Sequence, residues 1–221
     1  MRAKLLLLIF VCTAAALIFP SIPGSDSLKS VFRLTDEPHE VIVRGMSGSA
    51  LTINISFGDK EVEQLISELK APYPLLLLDM DWADRFPEIV QMIKKRNIPT
   101  GLLGHEGLEY EQNIPLLIKQ LEKYEELFGS KPLWFRTSDE FFPQSLRNAL
   151  WDTEVNALGS TVQWSTGEPP PVLEGEILSI PHFREERITL ANLNRLNETR
   201  QYKSLEDVLF NMSIKTKKIP E

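Results

Sequence analysis

YPLLLLDMDWADRFPEIVQMIKKRNIPTGLL, residues 73–103, decides the fold. Tyr73 to Leu78 is an uninterrupted apolar run between Pro72 and a charged segment, which reads as a buried strand. Ala83 to Lys95 places Phe86, Ile89, Val90 and Ile93 on one helical face. Pro87 suits the first turn of that helix and Asn97 a left-handed stop. Ile98 to Leu103 is the next strand. Strand, helix and strand in this order form a βα unit with parallel strands.

The pattern repeats on both sides. Upstream lie a short β-branched run, Val41 to Arg44, an alternating strand, Leu51 to Phe57, and a helix, Glu61 to Leu69. Downstream, Asn113 to Phe128 carries an apolar stripe of Ile114, Leu117, Ile118, Leu121, Tyr124 and Phe128, and Gly129 ends it. Leu133 to Arg136 is a strand and Pro143 to Leu150 a helix. Val155 to Leu158, Thr161 to Trp164 and Glu176 to Ile180 are further strands, and Ser204 to Phe210 is a last short helix. Repeated units of this kind predict an α/β fold with a largely parallel sheet, open or closed into a barrel.

The chain has 221 residues, enough for one domain or at most two small ones. A hydrophobic content of 43% with 25% charged residues excludes wholesale disorder. The net charge of −7 argues against nucleic acid as the main partner, since phosphates call for a positive surface. Arg2 and Lys4 precede an uncharged run from Leu5 to Phe19 that contains Ala14, Ala15 and Ala16. This is the pattern of a secretory signal peptide. An uncleaved anchor and a buried core helix are the alternatives, the run being short for a membrane span. The resulting division is 1–19 signal or anchor, 20–40 linker, 41–210 folded domain and 211–221 tail. The domain is expected outside the cytoplasmic membrane, touching it only through the N-terminal segment. The one cysteine, Cys12, lies in the leader, so no disulfide framework or cysteine-ligated zinc is available to the domain.

Several segments resemble, in order and spacing, the polysaccharide deacetylase family, the NodB homology domain of carbohydrate esterase family 4. Ile55-Ser56-Phe57-Gly58-Asp59 resembles its first motif, a strand ending in Thr-Phe-Asp-Asp-Gly. Residues 73–101 resemble the strand, Trp-Ala helix start and strand that follow. Lys131 to Arg136 resembles a segment ending in Phe-Arg-Pro-Pro, Ala157 to Ser165 a Val-x-Trp-Ser strand, and Gly175 to His182 a Gly-x-Ile-Ile-Leu-Leu-His strand. Tyr202 to Leu209 is similar to the closing Thr-Leu-x-Glu-Leu. The resemblance implies a distorted (β/α) barrel of about seven strands. It implies metal-dependent removal of acetyl groups from N-acetylglucosamine units in chitin, peptidoglycan or related glycans. In the family one Asp and two His hold the metal, a neighbouring Asp is the base, an Arg orients that base, and a later His protonates the leaving amine.

Carried onto this chain, Asp59 falls on the metal-binding Asp, with a helix N-cap as its plainer role. Gly58 falls on the base, and a glycine cannot take a proton. Leu103 and Gly107 fall on the two metal histidines. His105, two residues along, and Glu109, four beyond it, are the replacement ligands, with a loop histidine as the plainer reading of His105. Asp59, His105 and Glu109 are thus the candidate metal set, for zinc or a similar divalent ion. Arg136 falls on the base-orienting Arg, and Asp59, Asp139 and Glu140 are its remaining acidic partners. Trp164 falls on the substrate groove or in the core. His182 falls one residue beyond the leaving-group His, which in a strand turns it to the other face. Trp82, Trp134 and Trp164 are either platforms for sugar rings or core residues. His39 has no motif around it.

Base, metal histidines, groove loop and final His depart together from the family's pattern. The expected function is a catalytically inactive deacetylase-like domain that needs no cofactor. Its expected partner is a glycan such as peptidoglycan or another N-acetylglucosamine polymer, or a protein. An active, rewired metal-dependent deacetylase is the alternative. A distant third is a haloacid-dehalogenase-type phosphatase, suggested by Asp79-Met80-Asp81 at a strand end; the plainer role of that motif is a helix cap.

Overall fold

The computed structural model describes residues 40–210. The leader 1–19 with Cys12, the linker with His39 but for residue 40, and the tail 211–221 lie outside the described residues.

In chain order the elements are β1 (Ser49–Ile55), α1 (Lys60–Glu68), β2 (Leu75–Asp79), α2 (Met80–Arg85), α3 (Pro87–Lys95), β3 (Thr100–Gly104), α4 (Gly107–Gln112), α5 (Ile114–Phe128), β4 (Trp134–Thr137), α6 (Gln144–Thr153), β5 (Asn156–Ala157), β6 (Val162–Gln163), β7 (Glu176–His182), α7 (Leu190–Thr199), β8 (Tyr202–Lys203) and α8 (Leu205–Phe210). The strands form one sheet in the order β5-β4-β3-β2-β1-β7-β6, with β8 beside β1. Every strand pairing in it is parallel.

The two ends of this sheet meet. After β5 the chain leaves β4, with Leu158 N donating to Phe135 O at 2.8 Å, and reaches β7, with Thr161 N donating to Ile177 O at 2.9 Å. Residues 42–45 lace the same seam. Ile42 N donates to Ala157 O at 3.0 Å, Gly159 N to Ile42 O at 2.8 Å, and Gly45 N to Gly175 O at 2.8 Å. The β-branched run Val41 to Arg44 therefore makes isolated bridges, to Leu158 and Glu176, in place of the strand its composition predicts. The sheet thus curls into the distorted barrel that the order of segments implies.

Alternation along each strand divides the side chains between two cores. Leu51, Ile53, Ile55, Leu76, Leu78, Leu102, Phe135 and Ile180 face outward against Val62, Leu65, Ile66, Ile89, Val90 and Ile93 of the helices. Ala50, Leu75, Leu77, Leu103, Trp134 and Ile177 face inward, and Leu205 and Val208 of α8 plug the N-terminal end of the barrel. Burying each such aliphatic side chain contributes about 1.5–3 kcal/mol. Above this plug the interior turns polar.

Three elements differ from the sequence reading. The helix read from Ala83 onward starts at Met80 and breaks at Phe86 (φ −127°, ψ 58°), where Pro87 opens a new first turn. The short helix α4, absent from the sequence reading, follows β3 after two residues, and its N-cap Glu106 makes no side-chain cap hydrogen bond. The helix α7 (LANLNRLNET) is hidden by three asparagines, poor helix formers. It is started by a capping box between Thr189 and Asn192, an amide where the usual pattern has Glu or Gln. Asn97 (φ 53°) is left-handed and Gly129 (φ 80°) ends α5, as read.

Candidate functional site

The polar centre of the barrel is built around Arg136, which β4 points inward with no solvent exposure. Its Nη1 donates to Thr52 Oγ1 at 2.7 Å, Ser179 Oγ at 3.0 Å and Asn54 Oδ1 at 3.1 Å. Nη2 donates to Gly159 O at 2.7 Å and Nε to Leu158 O at 3.0 Å, so the guanidinium also ties the seam of the barrel to its first strand. Asn54 Nδ2 donates to Ser179 Oγ at 3.2 Å. Glu140 Oε1 is the nearest carboxylate, 3.6 Å from Nε. Burial pushes the guanidinium down to about 10 while Glu140 holds it up, so it stays charged at neutral pH.

Arg136 thus contacts Asn54 and not Gly58, the position that the resemblance sets against the base. An amide there accepts a hydrogen bond and neither takes nor holds a proton at neutral pH. Gly58 is a glycine for another reason. Its φ is +95°, and a Cβ there would lie 2.8 Å from Val62 Cγ2, 2.9 Å from Glu61 Oε1 and 3.0 Å from His182 Nε2. Its carbonyl accepts from Trp82 Nε1 at 2.8 Å.

The other sequence-predicted residues fall apart as a set. Asp59 is exposed and caps α1, accepting from Lys60 N, a hydrogen bond that holds its carboxyl below the usual range. His105 Nδ1 lies 3.0 Å from Glu109 Oε2, so the i,i+4 spacing does bring this pair together. Asp59 does not join it. Among the described residues no three His, Cys, Asp or Glu side chains stand together so as to hold a metal ion. The metal that the fold family implies therefore does not fit the donors present. Of the acidic partners named for Arg136, Asp139 is taken up by Gly107 N (3.0 Å) and Phe141 N (3.2 Å), and only Glu140 approaches.

His182 sits opposite Ile55 in the β1–β7 register, on the face turned away from Thr52, Asn54 and Ser179. It is 1% exposed, and neither ring nitrogen has a partner among the described residues. Burial lowers its pKa, so the imidazole is neutral. Trp164 is 6% exposed, with Nε1 donating to Glu168 O at 3.0 Å. Trp82 and Trp134 are core residues too. Asp79 caps α2 by accepting from Trp82 N at 2.7 Å, and Asp81 pairs with Lys123 at 3.1 Å. The cap is thus the structural use of the Asp79 motif.

Thr52, Asn54 and Ser179 were not singled out by sequence. For Thr52 and Asn54 the signal was present in the alternation of LTINISF, whose polar positions ordinarily read as a solvent face.

No protein-family model matches the chain, and no curated protein matches it. Solved structures do. The carbohydrate esterase family 4 pseudoenzyme BA3943 of Bacillus anthracis superposes with a TM-score of 0.64 at 17% identity, covering 78% of this chain and 69% of that one. A BA3943 mutant with restored enzymatic activity gives 0.62 at 19% identity, covering 76% and 69%. The peptidoglycan N-acetylglucosamine deacetylase Bc1960 gives 0.61 at 15%, covering 75% and 92%. The chitin deacetylase of the fungal pathogen Colletotrichum lindemuthianum gives 0.63 at 12%, covering 77% and 92%. At such identities what is shared is the architecture, and the fold of this chain is that of the carbohydrate esterase family 4 deacetylases.

Proposed function

We propose that the chain is a divergent polysaccharide deacetylase-like domain that keeps the barrel and lacks the hydrolysis. In this reading it works outside the cytoplasmic membrane, delivered or held there by its N-terminal segment, and binds a cell-wall glycan. The observation that carries it is the contact of Arg136 with Asn54. The arginine that would steer a base is spent on an amide, and the metal donors are dispersed around it. Catalytic parts act as a unit, so the loss of base and metal set together removes the rate enhancement and leaves the binding surface. The structural neighbours named for peptidoglycan and chitin deacetylation support a glycan of N-acetylglucosamine type as the ligand, and the pseudoenzyme among them supports loss of activity on this barrel.

The second reading, a rewired metal-dependent N-deacetylase, draws on the His105–Glu109 contact alone. One experiment separates the two: incubation with N-acetylglucosamine oligomers, with and without added Zn²⁺, following released acetate and bound sugar. Binding without acetate release is the expected result. Metal-dependent acetate release establishes the rewired enzyme. Neither binding nor release turns the search to a protein partner.

A further inference from the structure

The described residues expose eight large apolar side chains. Five of them, Val43, Met46, Val172, Leu173 and Phe210, belong to segments that meet at the seam and at the N-terminal end of the barrel. Gly45 N donates to Gly175 O at 2.8 Å, so the turn after Leu173 lies against the residue before Met46. Met46 N donates to Val208 O at 2.8 Å, which sets Met46 on α8, the helix that ends at Phe210. Met46 is 68% exposed, Val172 53% and Phe210 44%. Of the other three, Leu108 and Phe141 stand at the C-terminal strand ends and Ile118 on α5.

The backbone holds these side chains out in a fixed place. Glu176, with no solvent exposure, accepts from Arg200 Nε at 2.6 Å and from Leu173 N at 3.1 Å. Arg200 Nη2 donates to Pro170 O at 2.7 Å, so one buried ion pair pins the chain on both sides of Val172. Leu205 and Val208 anchor α8 in the inner core beneath Phe210. Apolar surface gathered at one end and held in water marks an interaction face. The rest of the chain points to what covers it. The residues that leave α8 after Phe210 bring Lys215, Lys217 and Lys218 against one acid, Glu221. Residues 40–210 carry 17 Lys and Arg against 27 Asp and Glu, so a cationic run follows the apolar end of an acidic domain. Arg44 and Lys203 are exposed at this end as well, Glu174 accepts from Gly48 N at 2.9 Å, and Glu206 and Asp207 lie in the first turn of α8. Upstream, the uncharged run Leu5 to Phe19 is joined through residues 20–39 to the segment that leads along the seam to Met46. Apolar side chains beside a lysine run match a bilayer with anionic headgroups, where the former enter the interface and the latter meet phosphates.

We propose that the N-terminal end of the barrel is a lipid-facing surface: Met46, Val172, Leu173 and Phe210 enter the headgroup layer of an anionic bilayer, and the lysines after Phe210 lie on its phosphates. The proposal rests on the reading above for the delivery of the domain to the membrane. It adds an orientation to that reading. The C-terminal strand ends, with His105 and Asp139, then point away from the lipid, toward a wall glycan.

The test is a ¹³C-methyl spectrum of the methionine-labelled full chain on bicelles of phosphatidylglycerol and phosphatidylcholine that carry a spin-labelled lipid. Met92 on α3, half-buried on the flank of the barrel, is the internal control. Broadening at Met46 roughly fivefold that at Met92 is expected, since only side chains in the interface approach the label. Phe210→Ser, at an exposed position, is expected to reduce that broadening about twofold with Tm held. Joint replacement of Lys215, Lys217 and Lys218 by Gln is expected to do the same, and keeps the question answerable if the serine variant folds poorly. Equal broadening at the two methionines, or a Met46 line that neither variant sharpens, overturns the proposal. A Met46 shift that grows with protein concentration in lipid-free buffer, together with the sedimentation mass of a dimer, also overturns it and gives the face to a second copy. None of these results touches glycan binding, so the proposed function stands or falls on the acetate and sugar assay alone.

Discussion

Arg136 Nη1 donates to Asn54 Oδ1 across 3.1 Å in the closed interior of the barrel, a charged donor aimed at a neutral amide. Around it Thr52, Ser179 and two carbonyls of the seam complete the coordination of the guanidinium. The arrangement holds a charge without a carboxylate in hydrogen-bonding contact, and its energetics can be measured.

Asn54→Asp places a carboxylate against that charge. Its pKa is expected to be depressed by Arg136, so its contribution is complete above the unfolded value of about 3.9 and disappears as pH falls through the folded one. We predict a gain of about 1–3 kcal/mol at pH 7, read as a rise in Tm over the parent chain, shrinking to nothing at low pH. Deacetylation does not return, because the metal donors remain dispersed. A variant less stable at pH 7 that recovers on acidification would mean that Arg136 does not engage position 54.

Arg136→Met keeps most of the side-chain volume and removes the fork. Leu158 O, Gly159 O and the Asn54 and Ser179 side chains then lose their donor inside a dry interior. A loss of about 3–5 kcal/mol is expected, read from the urea midpoint. A loss below about 1 kcal/mol would show that the seam holds without the guanidinium.

His182 gives a pH dependence of the same sign as a carboxylate with a depressed pKa, in a higher pH window. Burial lowers its folded pKa below the ordinary 6.5, with Glu61 and the Ile188 backbone opposing and Arg187 assisting. The unfolded chain therefore takes up a proton first. Stability is complete above the unfolded value and falls as pH drops from there toward the folded value. The slope of Tm against pH between about 7 and 5 is expected to flatten in His182→Leu. Equal slopes in the two proteins would place His182 in water.

The βα repeat was legible because long apolar runs and 3.6-residue stripes survive in residues 73–103 and 113–128. The first site residue was not, and the reason is physical. Gly58 and Asp59 lie beyond the end of β1, in a turn that caps α1, whereas the strand register puts Asn54 inside the barrel. Thr52 and Asn54 read as solvent-facing because a period of two does not say which face is wet. Only closure of the sheet makes the polar face an interior. A one-residue offset in a strand reverses the side chain, and His182 stands in register with Ile55. The helix α7 was invisible, because asparagine-rich sequence carries little helical signal.

The central claim is that this barrel has no metal-dependent chemistry, and metal binding tests it most directly. The full chain is titrated with Zn²⁺, Co²⁺ or Ni²⁺, following metal content after desalting and Tm, beside an Asp59→Ala control. The account predicts no stoichiometric metal and the same Tm with and without it. One metal per chain, with a rise in Tm that Asp59→Ala abolishes, would contradict it.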